Sequence, residues 1–302
     1  MNANPFTPTF GKVPLHIAGR ESVIEDMSQA LENGPGDPNL SSIFVGARGT
    51  GKTALLTAIA NEAAQRGWIT ASVSAAPGML EDILQRAREA AQEYVERPSA
   101  VSVSEIGIPQ LLNLRFEHRS DSEQNWRTKM NSLFRELEAL DVGLLITVDE
   151  VTVDLDEMVQ LASVYQHFVR EDKKVALVMA GLPYQVYELV DDKRISFLRR
   201  ARRRELGRVA DADIENAFLA TVNDGGRRIG DKALGLAVRA IDGFPYMMQL
   251  VGYRAWAACR GDEITIDDVK RSLTGQLENT YLVDEHGNKK KVQKKHGKTD
   301  HH

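Results

Sequence analysis

Apolar and polar positions follow two distinct rhythms along this chain. Short apolar runs stand at 42–46, 68–74, 142–148 and 174–180. Runs of this length without polar alternation suit strands buried on both faces. Between them, apolar residues recur every three or four positions over 53–66, 79–96, 122–140 and 155–170, the spacing of helices with one buried face. Gly67 closes the first of these helices, and Pro98 follows the second. A fifth strand is expected at 203–209, weakened by its arginines. A further helix is expected over 21–31, where Val23, Ile24, Met27 and Leu31 share a face, and the Gly- and Pro-rich stretch 33–38 breaks it. Alternating strands and helices predict an α/β fold with a parallel sheet covered on both faces.

Three stretches depart from this rhythm. Residues 1–14 carry Pro5, Pro8 and Pro14 without periodicity and predict an extended arm. Val101–Ser104 and Leu112–Phe116 each alternate around Gly107 and Pro109, which reads equally as a β-hairpin insert at 100–117 or as a plain loop. Beyond Val209 only helical patterns remain, at 212–222, 232–241, 245–259 and 266–278. Thr265 followed by Asp268 marks the start of the last one. The expected organisation is therefore an arm (1–14), an α/β core (15–208), a small helical domain (209–280) and a basic, disordered tail (281–302).

Composition narrows the class. With 302 residues, 42% hydrophobic and 27% charged, the chain can bury a substantial core. No apolar run approaches the roughly 18 residues that span a bilayer. The N-terminus lacks the basic and apolar segments of a secretory signal. A net charge of −5 argues against a globally basic nucleic-acid binder, leaving only local patches. The single cysteine, Cys259, allows no intrachain disulfide and no cysteine-based zinc site. The seven histidines show no metal-binding spacing. A cytoplasmic protein without membrane contact is expected.

The most specific chemistry lies at Gly46-Ala47-Arg48-Gly49-Thr50-Gly51-Lys52-Thr53, which fits G-x-x-x-x-G-K-[ST] between a strand and a helix. Glycines let backbone N–H groups wrap phosphates, and the helix N-terminus adds partial positive charge. Lys52 is placed on the β- and γ-phosphates of ATP, and Thr53 on Mg²⁺. Downstream, the apolar run 144–148 ends in Asp149 and Glu150, where strands of such sheets present ligands. Asp149 is the expected metal partner and Glu150 the base that polarises water.

Together with the helical domain, these elements resemble AAA+ ATPases: a P-loop αβα sandwich of five parallel strands followed by a small helical lid. The resemblance is to the branch shared by origin-recognition-type initiators, archaeal-type ATPases and STAND signalling ATPases. Ile17-Ala18-Gly19-Arg20-Glu21 is similar to the family's hxGRE box, and Gly243-Phe244-Pro245 to its GxP motif. The resemblance places Gly19, Arg20 and Pro245 near the base. It implies a Mg-dependent ATP hydrolase that cycles between ATP and ADP. Two family features are missing. The fourth strand ends in Met179-Ala180-Gly181, with no polar sensor, and the lid shows no sensor arginine. Slow turnover is therefore expected.

Arg199 and Arg200 open a dense basic run, at the place where AAA+ proteins carry an arginine finger that completes a neighbouring subunit's site. A solvated face or a grip on DNA phosphates fits the same residues. Three functional readings follow. One is a nucleotide-driven switch acting on an unidentified protein partner, with homo-oligomers supplying the finger in trans. The second is a DNA-associated ATPase resembling initiators or transposition target-selectors. The third is a non-hydrolysing, STAND-like signalling module.

Overall fold

The computed structural model describes residues 3–9, 11–96, 125–274, 281–283 and 289–291. The expected insert at 100–117 lies outside them. Five parallel strands form one sheet: β1 (Ser41–Val45), β2 (Trp68–Ser74), β3 (Gly143–Asp149), β4 (Val175–Gly181) and β5 (Arg202–Glu205), in the order β2-β3-β4-β1-β5. Strand β4 is buried throughout and β3 nearly so. That is why both read as continuous apolar runs rather than alternating ones.

Helices cover both faces. On one lie α1 (Glu21–Asn33) and α2 (Lys52–Gln65), packed on Phe44, Leu145, Ala176 and Val178. On the other lie α3 (Met79–Glu96), α4 (Trp126–Ala139), α5 (Asp156–Arg170) and α6 (Pro183–Asp191), packed on Ile43, Ile69, Leu144 and Leu177. Successive strand residues point to opposite faces, so Ile43 and Phe44 serve different cores.

The expected fifth strand is corrected in length. It ends at Glu205 and pairs only with β1, at the sheet edge. An edge tolerates its arginines because they reach partners or solvent. Arg204 bonds Asp26 at 2.5 Å and Asn39 at 3.1 Å. Helix α6 and the 3₁₀ turns over Lys193–Arg200 had no counterpart in the sequence reading.

After Val209 come α7 (Asp211–Asp224), α8 (Asp231–Ile241), α9 (Pro245–Ala258) and α10 (Ile266–Leu273), around their own core of Ile214, Phe218, Val238, Val251 and Trp256. Two short parallel strands, Arg228–Ile229 and Glu263–Ile264, tie the ends of this domain together. The expected start of α10 carries a full capping box between Thr265 and Asp268. The tail departs from the expectation of disorder over six residues: Tyr281–Val283 pairs antiparallel with Lys289–Lys291. Among its described residues the arm has no regular element, yet it is not free, because Phe6 is 1% exposed within the helical domain's core.

Candidate nucleotide site

The phosphate loop forms where β1 ends and α2 begins. Gly49 and Gly51 have φ of 82° and 87°, a left-handed backbone that side chains disfavour. Gly46 has no room for a side chain, since a Cβ there would stand 2.6 Å from Thr50 Oγ1 and 2.7 Å from the Leu206 carbonyl. The first-turn N–H groups of α2 lack intrahelical acceptors and open onto this loop. Lys52 arches back over it, donating to the carbonyls of Gly46 (2.8 Å) and Ala47 (2.9 Å). Burial lowers the Lys52 pKa. Asp149 and Glu150 oppose that shift, and Arg48 adds to it.

Parallel register carries Asp149 to the same place. It ends β3, opposite Ser74 of β2. Its Oδ2 accepts a 2.5 Å hydrogen bond from Thr53 Oγ1, and its Oδ1 accepts the N–H of Glu150 at 2.9 Å. Glu150 is exposed and turns sharply, with φ of 56°. A non-glycine residue held there costs on the order of 1–3 kcal/mol, a strain that tends to gather at functional positions. Beside Thr53 and Asp149 opens a polar cavity of about 400 Å³, lined also by Thr57, Ser72, Ser74, Thr147 and Arg86.

The other side of the loop meets the helical domain. Tyr246 donates its N–H to the Gly49 carbonyl at 3.3 Å, and a Cβ on Gly51 would touch the Pro245 ring at 3.6 Å. Gly19 and Gly243 both close on the connector between the two domains. A Cβ on Gly19 would stand 2.7 Å from Val209 Cγ1, and one on Gly243 would stand 2.7 Å from the Val209 carbonyl. Arg20 holds the same connector through the Gly207 carbonyl at 2.6 Å. Burial lowers the Arg20 guanidinium below its ordinary range, with Glu21 opposing. Its Nε is buried without a hydrogen-bond partner among the described residues. A small apolar cavity runs between Ile17, Ala18 and Arg20, Thr50, Gly51 and Ala54 of the loop side, and Pro245, Met248 and Gln249 of α9.

The structure thus brings together residues 46–53, Asp149, Glu150, Gly19, Arg20 and Pro245. Arg199 and Arg200 lie apart from them. Arg199 sits against the C-terminus of α6, 3.4 Å from the carbonyls of Val190 and Asp191, and Arg200 is exposed. At the end of β4, Met179 and Ala180 are buried and apolar. Sequence reasoning missed Glu157, which caps α3 from α5, accepting the N–H groups of Gly78 (2.7 Å) and Leu80 (2.9 Å). It also missed Gln249, whose approach to the cavity no motif signals.

Neither a protein-family model nor a curated protein sequence matches the chain. Solved structures do. The ORC2 protein of Aeropyrum pernix, solved as ADPNP–ADP complexes, is 14% identical with a TM-score of 0.62, over 90% of this chain and 72% of that one. A Walker-type ATPase of Pyrococcus abyssi is 15% identical with a TM-score of 0.59, over 87% and 72%. Domain III of the replication initiation protein DnaA from Thermotoga maritima is 13% identical with a TM-score of 0.53, over 91% and 100%. At such identities the likeness is one of fold. That fold is the P-loop αβα core and helical lid of AAA+ ATPases. No helix among the described residues is long and apolar enough to cross a membrane.

Proposed function

We propose that this chain binds Mg-ATP between the sheet and the lid and hydrolyses it slowly, as a nucleotide-driven conformational switch. The observation that carries this reading is the convergence of Lys52, Thr53 and Asp149 at the end of a phosphate loop that is itself roofed by Pro245 and Tyr246. The parts fit the ligand. A hydroxyl and a carboxylate are hard oxygen donors suited to Mg²⁺. Among the described residues no group of three or more acidic, histidine or cysteine side chains forms a metal cage. A metal with so few protein ligands is one that nucleotide phosphates complete. Arg20 lines the apolar cavity, and its buried Nε has no hydrogen-bond partner among the described residues.

In this reading the loop amides and Lys52 bind the phosphates, while Thr53 and Asp149 hold Mg²⁺. An ion held by Thr53 and Asp149 would supply positive charge against the phosphates. Glu150 takes the proton of the attacking water. No polar side chain from the end of β4 helps to orient that water, so turnover is slow. Arg199 or Arg200 of a second copy supplies charge at the γ-phosphate in trans, through a head-to-tail contact. Loss of the γ-phosphate then shifts the lid against the core at the Val209 connector and changes the surface offered to a protein partner. Phosphate release from ATP, measured with and without Mg²⁺, tests the reading. Magnesium-dependent release supports it, and the absence of release with tight ATP binding would favour the signalling-module reading instead.

A further inference from the structure

The arm and the chain that continues it touch lid, phosphate loop and cavity together. Phe6 is 1% exposed and its ring lies 4.9 Å from that of Phe218. It packs onto α9 at a glycine: a Cβ on Gly252 would stand 2.3 Å from the Phe6 ring. Asn4 donates to the Tyr253 carbonyl at 3.0 Å, and its own Oδ1 accepts the Phe6 N–H at 3.1 Å. One residue on, the Thr7 N–H donates to Gln249 Oε1 at 2.9 Å. Gln249 is 7% exposed and lines the apolar cavity beside the phosphate loop. The chain then passes the loop itself, where a Cβ on Gly11 would stand 3.9 Å from Thr53 Cγ2. It returns along Pro14 and Ile17 as the cavity's wall, fastened by His16 to Asp224 of the lid at 2.7 Å.

We propose that this arm is a strap controlling nucleotide exchange, with Phe6 and Gln249 as its positioning residues. The proposal rests on the reading that ATP occupies the cavity and loop. Phe6 fixes the arm on α9. The Thr7 N–H fixes the oxygen of the Gln249 amide and so sets which way its NH₂ group faces. The base leaves only when the arm lifts from α9, because the chain that continues the arm, at Pro14, His16 and Ile17, lines one cavity with Met248 and Gln249 of α9. By linkage, whatever the arm contributes to holding nucleotide, nucleotide contributes equally to holding the arm.

Gly252 gives a test that leaves the arm's sequence intact. It lies within α9, where alanine suits the helix better than glycine, so Gly252→Ala displaces Phe6 without weakening the helix. Wild type, Phe6→Ala, Gly252→Ala and the double variant are compared by stopped-flow dissociation of a fluorescent ATP analogue chased with ATP, well below each protein's unfolding temperature. Each single change should speed dissociation about tenfold, and the double should be no faster than either, since both act through one contact. Wild-type rates in Gly252→Ala, or additive effects in the double, overturn the strap. Should Phe6→Ala not fold, Gly252→Ala alone decides.

A second measurement separates the two readings. Lys12 is exposed on the arm, and tryptic cleavage after it reports whether the arm is docked, without any nucleotide. Gly252→Ala should speed that cleavage at least about fivefold, and ATP should slow it in wild type but not in Lys52→Ala. If wild type binds no ATP analogue, the nucleotide reading fails. If it binds in a Lys52-dependent way while Gly252→Ala changes neither dissociation nor cleavage, only the strap fails.

Discussion

Thr53 Oγ1 and Asp149 Oδ2 lie 2.5 Å apart although 96 positions separate them in the chain. The contact exists because β1 and β3 are parallel strands flanking β4 and end at the same edge of the sheet. In the proposed reading both oxygens would hold Mg²⁺. Asp149→Ala should therefore leave ATP binding measurable but remove its magnesium dependence. Wild-type affinity is expected to rise about tenfold or more on adding Mg²⁺, and the variant's by less than about twofold. Titrations with Mg²⁺ and with EDTA make the comparison.

Lys52 gives a pH prediction. Burial sets its folded pKa below the ordinary 10.5. In the window between the folded value and 10.5, the unfolded chain holds the proton and the folded chain has released it. Unfolding there takes up a proton, so this group's contribution to stability rises with pH across that window and is lost as pH falls through it. Bound phosphates favour the charged ammonium and push its pKa back up. ATP binding in that window should accordingly take up protons. Calorimetry in two buffers of different ionisation enthalpy should show that uptake in wild type and a smaller one in Lys52→Met.

Glu150→Gln keeps the shape of the side chain and removes the base. Binding of ATP should stay within about twofold of wild type while turnover falls on the order of a hundredfold or more. Phosphate release at saturating ATP measures it. A variant that turns over like wild type would mean that another group orients the water.

How much of this was visible in the sequence depended on how local each feature is. The phosphate loop is contiguous, and its flanking runs at 42–46 and 53–66 are long enough to declare a strand and a helix. β3 and β4 are buried on both faces, so apolar runs betray them. β5 is an edge strand with arginines, and nothing in its pattern marks Glu205 as its end. Helix α6 begins at Pro183 and spans only nine residues, too few for a clear period. The contacts that escaped notice are long-range and one-sided. Glu157 caps a helix 77 positions away, and Thr7 meets Gln249 across 242. Three prolines marked the arm as extended, but its anchorage went unseen, because Phe6 meets Phe218 and a bare glycine on α9 far along the chain, which leaves no trace in local patterning.

Arg199 and Arg200 stand beside the edge strand and away from the phosphate loop of their own chain. As trans-acting fingers they would make turnover per chain depend on concentration. Across a hundredfold dilution series, specific activity should fall as copies separate. Arg199→Ala/Arg200→Ala should depress activity at concentrations where copies associate, by about 10³-fold if the pair completes the site, and match wild type once both are diluted apart. A flat series with a normally active variant would leave these arginines as a solvated face and a helix cap.

The central claim is that a nucleotide sits on the loop that Lys52 spans. Isothermal titration of ATP with Mg²⁺ into wild type and Lys52→Ala tests it most directly. Wild type should bind saturably at one site per chain, and the variant at least about tenfold more weakly, on the order of 1.4 kcal/mol. Equal affinity in the two proteins, or no saturable binding to wild type, would contradict it.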